Sequence, residues 1–415
     1  MVEHGDPVAR IVLALATLLV AGKLAGELAV RLRQPSVLGE LLVGIVLGNL
    51  GIAWLDAVRT DPTIDILAGV GALILLFNVG VEATVGEMLE VGGSSFAVAT
   101  LGVVAPFLLG WGVGAWLLPA ASPYAHAFLG ATLCATSVGI TARVLHDLGA
   151  SKRPEARIVL GAAVLDDVFG LMILGIVSAA IAAAASGASL SMAGVLRTAG
   201  AAAAFLFGAL AVGRTIVPRL FAAGARFQTS VLLSLSLSFC FAMSWLATLV
   251  GLAPIIGAFA AGLVLEDAHF HDFTARGERS IDDLLRPLAD FLVPVFFVLM
   301  GLRTDLRTLL NAEMVGLTLA LTVAAIAGKQ LCSLGVLTRG ADRLSVGIGM
   351  IPRGEVGLIF ANVGVGLMLD GRPVMSGAMF SAVVAMVVVT TMITPPALTW
   401  SLTRAGRARD SAPAR

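Results

Sequence analysis

Residues 161–177 read GAAVLDDVFGLMILGIV, and two adjacent carboxylates, Asp166 and Asp167, stand in the middle of that apolar run. The run belongs to a longer apolar segment, about 157–184, long enough to cross a hydrocarbon core about 30 Å thick as a helix. An ionisable side chain at the centre of such a span costs about 2.5–3.5 kcal/mol on insertion scales, so two in succession point to use. Neighbouring residues on a helix point about 100° apart. The two carboxylates therefore meet different surroundings: one can face a partner cation while the other faces a cavity. Burial and a nearby like charge favour the neutral form of a carboxylic acid in general. A deprotonated carboxylate is a hard oxygen ligand suited to an alkali cation. A site that holds a proton or a cation, but not both, has the minimal chemistry of exchange; the plainer alternative is a structural pair hydrogen-bonded to neighbouring helices.

The rest of the chain supplies the setting. Of its 415 residues 58% are hydrophobic and only 13% charged, with a mean hydropathy of +0.97, whereas a soluble domain carries about a quarter charged residues. The expected class is an all-α polytopic membrane protein. Thirteen apolar segments recur, at about 8–30, 36–55, 63–82, 93–119, 124–143, 157–184, 193–214, 228–249, 251–266, 287–302, 312–337, 342–369 and 375–402. Basic residues collect in cytoplasmic loops. With the amino terminus outside, eighteen of the 27 basic residues fall on the cytoplasmic side, and six (Arg10, Arg59, Arg197, Arg303, Arg307 and Arg372) fall outside. Lys23, Lys329 and Arg353 lie within spans. The expected location is a cell (inner) membrane, crossed many times, with a cytoplasmic carboxy terminus.

Net charge is zero, which argues against nucleic acid as a partner. Cys134, Cys240 and Cys332 fall inside spans and read as small apolar residues. His269 and His271 read as members of a solvated loop. Residues 1–30 lack a basic leader and a small-residue cleavage site in the right place, so the first span is expected to be retained. One transmembrane domain over 1–402 is expected, followed by a short basic tail at 403–415, with no nucleotide-binding domain and no cofactor.

An internal repeat is visible. SVLGELLVGIVL from Ser36 matches PIIGAFAAGLVL from Pro254, placing Gly39 against Gly257 and Gly44 against Gly262 at an offset of 218. At the same offset TSVGI from Thr136 meets GEVGL from Gly354, pairing Gly139 with Gly357; NVGVE and LMGLR pair Gly80 with Gly301 at 221. The paired spans are seven crossings apart, and an odd number reverses direction, so the halves, about 36–184 and 251–402, read as inverted repeats. Secondary transporters with that design bind their cargo between interrupted helices near the midplane. CATSVGITAR in the fifth span and MIPRGEVGLIF in the twelfth are the candidate interruptions, because Pro352 removes an amide donor and Gly354 tolerates unusual dihedrals. A mild proline kink is the simpler reading.

Lys329, alone in the eleventh span, is the natural counter-charge to an aspartate. Arg353 and Glu355 flank Gly354, and for both an architectural and a direct transport role are open. Lys23 and Glu27, four residues apart, read as an ordinary salt bridge; the sequence assigns Glu40 no role.

Together RQPSVLGELLVGIVLG, LLFNVGVEATVGEML, ATSVGITARVL, GAAVLDDVFGLMIL, GAFAAGLVL and VPVFFVLMGLRTDL resemble the monovalent cation:proton antiporter superfamily, in its Kef and NapA-type branch, over about residues 30–400. The resemblance implies an NhaA/NapA-like fold of about thirteen helices with two broken, crossing helices. It implies a core bundle, spans 93–184 and 312–402, that moves against a dimerisation domain in a homodimer. By the same resemblance Asp167 is the ion- and proton-binding aspartate and Asp166 a second ligand of sodium. Lys329 is the lysine that electrogenic members pair with Asp166, and Thr136, Ser137 and Glu355 mark the helix crossover. The implied activity is secondary sodium/proton antiport, with Li+ or K+ as further cations and no enzymatic step. The absence of a carboxy-terminal nucleotide-binding domain favours this over a Kef-type potassium/proton antiporter. An organic-anion symporter of the same architecture and a channel are the other classes. An intramembrane aspartyl protease needs its two aspartates on separate helices sharing a water, which adjacent aspartates cannot supply.

Overall fold

The structure, a computed structural model, describes residues 7–32, 34–82, 92–137, 153–185, 229–250, 252–265, 281–309 and 312–410, with isolated positions in 138–150 and 200–211. The seventh apolar segment (193–214), Gly139, His269 and His271 lie largely or wholly outside the described residues. The principal helices are α1 (Pro7–Arg31), α2 (Ser36–Gly48), α3 (Ala53–Arg59), α4 (Pro62–Glu82), α5 (Gly93–Leu117), α6 (Pro123–Thr132), α7 (Pro154–Ala185), α8 (Thr229–Leu249), α9 (Pro254–Val264), α10 (Ile281–Leu302), α11 (Ala312–Cys332), α12 (Arg343–Gly349), α13 (Glu355–Gly366) and α14 (Gly377–Asp410). Several open on proline, whose fixed φ suits the first helical position and whose missing amide is not needed there. Among the described residues seven helices are long and apolar enough to cross a membrane, and shorter apolar helices include α2, α9 and most of α13.

The chain divides into two compact units, one made of residues 1–86 and 178–306, the other of 87–177 and 307–415. In the first, glycines fix how closely the helices approach. A Cβ added to Gly39 of α2 would lie 2.1 Å from the Ala25 carbonyl oxygen of α1, and one added to Gly257 of α9 would lie 2.2 Å from the Met243 carbonyl oxygen of α8. Ala25 and Met243 are themselves 218 residues apart, like the two glycines. Gly44 would meet the Val298 carbonyl at 2.2 Å and Gly262 the Phe77 carbonyl at 2.1 Å. Gly80 would meet the Phe259 carbonyl at 2.3 Å and Gly301 the Leu41 carbonyl at 2.3 Å. Each pair of partners keeps its own repeat offset, 221 for Phe77 and Val298 and 218 for Leu41 and Phe259. The glycines paired in the sequence thus make backbone approaches at matching offsets. In a bilayer, where apolar side chains gain little by leaving lipid, such small-residue seams are what bring helices together.

The second unit contains two interrupted helices. After α6 the backbone leaves the helix through Leu133–Ser137, and after α12 it does so through Met350–Gly354 before α13 begins. The segments meet: the Ser137 amide donates to the Pro352 carbonyl at 2.9 Å, and the Thr141 hydroxyl donates to the Gly349 carbonyl at 2.6 Å. A Cβ on Gly354 would sit 2.6 Å from the Ser137 Oγ, so the meeting point needs glycine there. Non-helical backbone at this depth is tolerable because each interruption satisfies the other.

Several boundaries depart from the sequence reading. The 36–55 segment is two helices, because α2 stops at Gly48 and Asn49 anchors the turn through its side chain to the Ile45 and Thr304 carbonyls, both at 2.8 Å. The span placed at 287–302 starts at Ile281, its helix running through Pro287 and Pro294. The tail placed at 403–415 continues α14 as far as Asp410.

Candidate functional site

Asp166 and Asp167 lie on α7, and Lys329 comes from α11 in the same unit. Lys329 Nζ donates to Asp166 Oδ1 at 2.8 Å and to Oδ2 at 3.0 Å. Both side chains are fully buried, at 0% exposure. Room for the pair comes from Gly102 of α5, where a Cβ would fall 3.3 Å from Lys329 Nζ and 3.5 Å from Asp166 Oδ1. The helices that carry Gly102, Asp166 and Lys329 also share an apolar cluster that includes Val98, Ala99, Ala162, Leu165 and Cys332. In such surroundings a charge is retained only when paired. Asp167, the next residue along α7, is also buried, at 6% exposure.

The interrupted helices bring polar groups to the same place. The buried Thr136 hydroxyl lies 3.4 Å from the Met350 carbonyl and within hydrogen-bond reach of Asp166. Arg353, fully buried, donates through Nη1 to the Cys134 carbonyl at 3.3 Å and the Ala135 carbonyl at 2.7 Å, and through Nη2 to the Ala325 carbonyl of α11 at 3.4 Å. These bonds supply partners for carbonyls that α6 leaves behind where it stops, which is what a broken helix in an apolar medium needs. The Thr391 hydroxyl of α14 donates in turn to the Arg353 carbonyl. Arg353 thus ties the segment after α6, and with it α11 and α14, to the interruption.

Of the residues singled out in the sequence, Asp166, Lys329 and Thr136 are joined by the contacts above, and Arg353 is bonded to the carbonyls of Cys134 and Ala135, the two residues before Thr136. Ser137 is buried at the crossing through its amide. Glu355 opens α13, and its side chain lies outside the described residues. One pairing is corrected: Lys23 does not bridge to Glu27 but to Asp290 of α10 at 2.9 Å, and Glu27 instead bridges to Arg31 at 3.1 Å. A partner 267 residues away cannot be seen in local spacing. Gly102 and Thr391 were missed. Nothing marks Gly102 among 47 glycines, and Thr391 lies in an apolar span where a hydroxyl usually bonds its own helix.

This arrangement sets two buried carboxyl groups and a buried ammonium group beside two interrupted helices. The transmembrane sodium/hydrogen exchanger family matches residues 13–404. The chain is 33% identical to the high-affinity Na(+)/H(+) antiporter NhaS3 of Synechocystis sp., over 94% of this chain and 89% of that protein. It is 34% identical to the Na(+)/H(+)-K(+) antiporter GerN of Bacillus cereus, over 93% of this chain and 95% of the other. Among solved structures, the sodium proton antiporter MjNhaP1 of Methanocaldococcus jannaschii shares the fold, with a TM-score of 0.69 at 17% identity, covering 96% of this chain and 97% of that one.

Proposed function

The chain belongs to the sodium/hydrogen exchanger family, and from that premise we propose that it exchanges sodium for protons across a membrane by alternating access, using Asp166, Asp167 and Lys329. The observation that carries the assignment of residues is the fully buried 2.8 Å pair of Lys329 and Asp166 beside a second buried aspartate. That pair is the sodium-free arrangement. A sodium ion arriving between the carboxylates displaces the ammonium group from Asp166. Left without its counter-charge while fully buried, the ammonium is driven to give up its proton. The proton on Asp167 leaves as the carboxylate becomes a ligand. Two protons then leave for each sodium bound, and one net charge crosses per cycle. At about 2.3 kcal/mol per charge per 100 mV the membrane potential drives such an exchange directly. Thr136 and Ser137 supply oxygens at the crossing, and Arg353 braces it.

The basic loops support an outside amino terminus and a cytoplasmic carboxy terminus in a cell membrane. The exposed apolar side of α1, with Val12, Val20, Leu24 and Leu28, suits lipid and, as the family resemblance suggests, a second copy of the chain.

Purified protein in liposomes decides the matter. A potassium diffusion potential set with valinomycin should change the rate and end point of sodium/proton exchange. Indifference to voltage would reduce the stoichiometry to one-for-one. Asp167→Asn should abolish exchange of Na+, Li+ and K+ alike, since an amide neither releases a proton nor offers a charged oxygen; residual proton-coupled flux would remove Asp167 from that role.

A further inference from the structure

A cavity of about 650 Å³ lies within the first unit, among α1, α2, α4 and α10. Glu40 of α2 lines it and is only 5% exposed, yet its Oε2 has no hydrogen-bond partner among the described residues. Asn78 of α4 lines the same cavity, and its buried Oδ1 likewise has none. A buried carboxylate oxygen without a donor is costly unless something of positive charge meets it. Of the other charges lining the cavity, Lys23, Asp290 and Glu27 are held in ion pairs. Lys23 is bound to Asp290 at 2.9 Å and Glu27 to Arg31 at 3.1 Å; Arg286 of α10 completes the charged lining. On the α1 side Gly22 and Gly26 replace side chains with space: a Cβ at Gly26 would sit 3.5 Å from Glu40 Oε1, and one at Gly22 would sit 3.8 Å from Glu40 Cγ.

We propose that Glu40 and Asn78 form a second monovalent-cation site, separate from Asp166 and Asp167. One carboxylate and one amide oxygen are hard ligands in the number that a singly charged ion needs when the cavity leaves it most of its water. Among the described residues no group of three or more His, Cys, Asp or Glu side chains could hold a metal ion, which speaks against a divalent or transition-metal occupant. The cation binds here without being carried: the site sits in a different unit from the exchange aspartates. Protons compete for the Glu40 carboxylate, so cation affinity falls as pH falls. The charged groups facing the site, Lys23 and Glu27 from α1 with Arg286 and Asp290 from α10, set the local field.

The test is equilibrium binding of radioactive Na+ to the purified full chain in lipid nanodiscs, on an Asp166→Asn, Asp167→Asn, Lys329→Gln background that removes the exchange site without stranding a buried charge. One saturable Na+ per chain should remain. Glu40→Gln, of the same shape, should weaken it at least tenfold, Glu40→Asp should keep it, and Asn78→Asp, which adds a second carboxylate, should tighten it at least tenfold. No saturable binding on that background, binding unchanged by Glu40→Gln, or displacement of Na+ by Mg2+ or Ca2+ at lower concentration would each overturn the proposal. Should Glu40→Gln fail to fold, Asn78→Asp decides, and an unchanged affinity there overturns it. Because the protein used cannot exchange, failure here leaves the exchange mechanism standing, and failure of that mechanism leaves this site standing.

Discussion

Two lysine–aspartate pairs of nearly equal length lie in opposite surroundings. Lys23 and Asp290, 2.9 Å apart in the first unit, are 49% and 60% exposed; Lys329 and Asp166, 2.8 Å apart in the second, are both at 0%. Distance alone would rank them together, but burial decides their worth. An exposed pair contributes about 0–1 kcal/mol, whereas breaking a buried pair by removing one partner costs about 3–5 kcal/mol, because the other charge is stranded. The contrast extends to the units. The first is held by backbone seams at glycines repeated across the two halves, with its ion pairs at the margin. The second concentrates charge at its centre and breaks two helices to do so. Its chemistry does not obey the repeat: at the 218 offset Asp166 faces Val384, Lys329 faces Trp111 and Arg353 faces Ala135. The glycine seams recur at the repeat offset, whereas the buried charged side chains do not. Arg353 even donates to the carbonyl of Ala135, its own counterpart in the repeat.

The largest expected effect tests the scaffold. Gly44→Val and Gly262→Val each force a side chain into a carbonyl that a Cβ alone would approach to 2.2 Å or less. The obstacle is backbone, so the loss should exceed the ~1–3 kcal/mol of ordinary overpacking, and neither variant should be recovered as monodisperse folded protein. The two should fail together. If one folds well while the other does not, the seams are not equivalent.

Next comes the buried pair. Lys329→Gln leaves Asp166 enclosed without its cation and should lower stability by about 3–5 kcal/mol, read as the midpoint of reversible unfolding in mixed micelles. Adding Asp166→Asn should restore most of that loss, because a neutral pair can hydrogen-bond. Equal losses in the single and double variants would mean the pair is not what holds this part of the second unit together.

The crossing should respond more mildly. Gly354→Ala brings a methyl to 2.6 Å from the Ser137 side chain, an overpacking of about 1–3 kcal/mol, and should raise the sodium concentration needed for half-maximal exchange. Ser137→Gly in the same protein removes the clash and should bring affinity back towards wild type. If affinity stays impaired, the hydroxyl rather than the space at the crossing is what sodium binding uses.

Much of this was legible in the sequence. Asp166 and Lys329 declare themselves because a charge inside an apolar span has few tolerable fates, and a partner on another span is one of them. The repeat is legible because glycine at a helix seam cannot be replaced without collision, so Gly39, Gly44, Gly257 and Gly262 keep their spacing. Other features depend on which helix lies alongside, and no periodicity encodes that. The i, i+4 rule pointed Lys23 to Glu27, but α10 brings Asp290 closer. Arg353 shows its charge in the sequence while the carbonyls it serves are three backbone positions with no side-chain signature. The end of α2 at Gly48 is set by Asn49 reaching to Thr304, a contact across 255 residues. The extension of α14 is hidden because Pro395 and Pro396 suggest a break, yet a helix can carry them where neighbouring helices and side chains satisfy the freed carbonyls.

The smallest expected effect closes the comparison from the other side. Lys23→Gln and Asp290→Asn should each change stability by no more than about 1 kcal/mol, since water or lipid headgroups can replace the lost partner at side chains this exposed. Their double-mutant cycle should give a coupling under about 1 kcal/mol, whereas the cycle through Lys329 and Asp166 should give several. Salt separates them further. Raising ionic strength from 0.01 M to 1 M shortens the Debye length from about 30 Å to about 3 Å, which should erase the Lys23–Asp290 coupling and leave the buried one almost unchanged. A Lys23–Asp290 coupling as large as the buried one, and insensitive to salt, would mean that the pair is enclosed in the membrane-embedded protein, by lipid or by a second copy of the chain. The distinction between a marginal pair and a central one would then have to be drawn from chemistry rather than from burial.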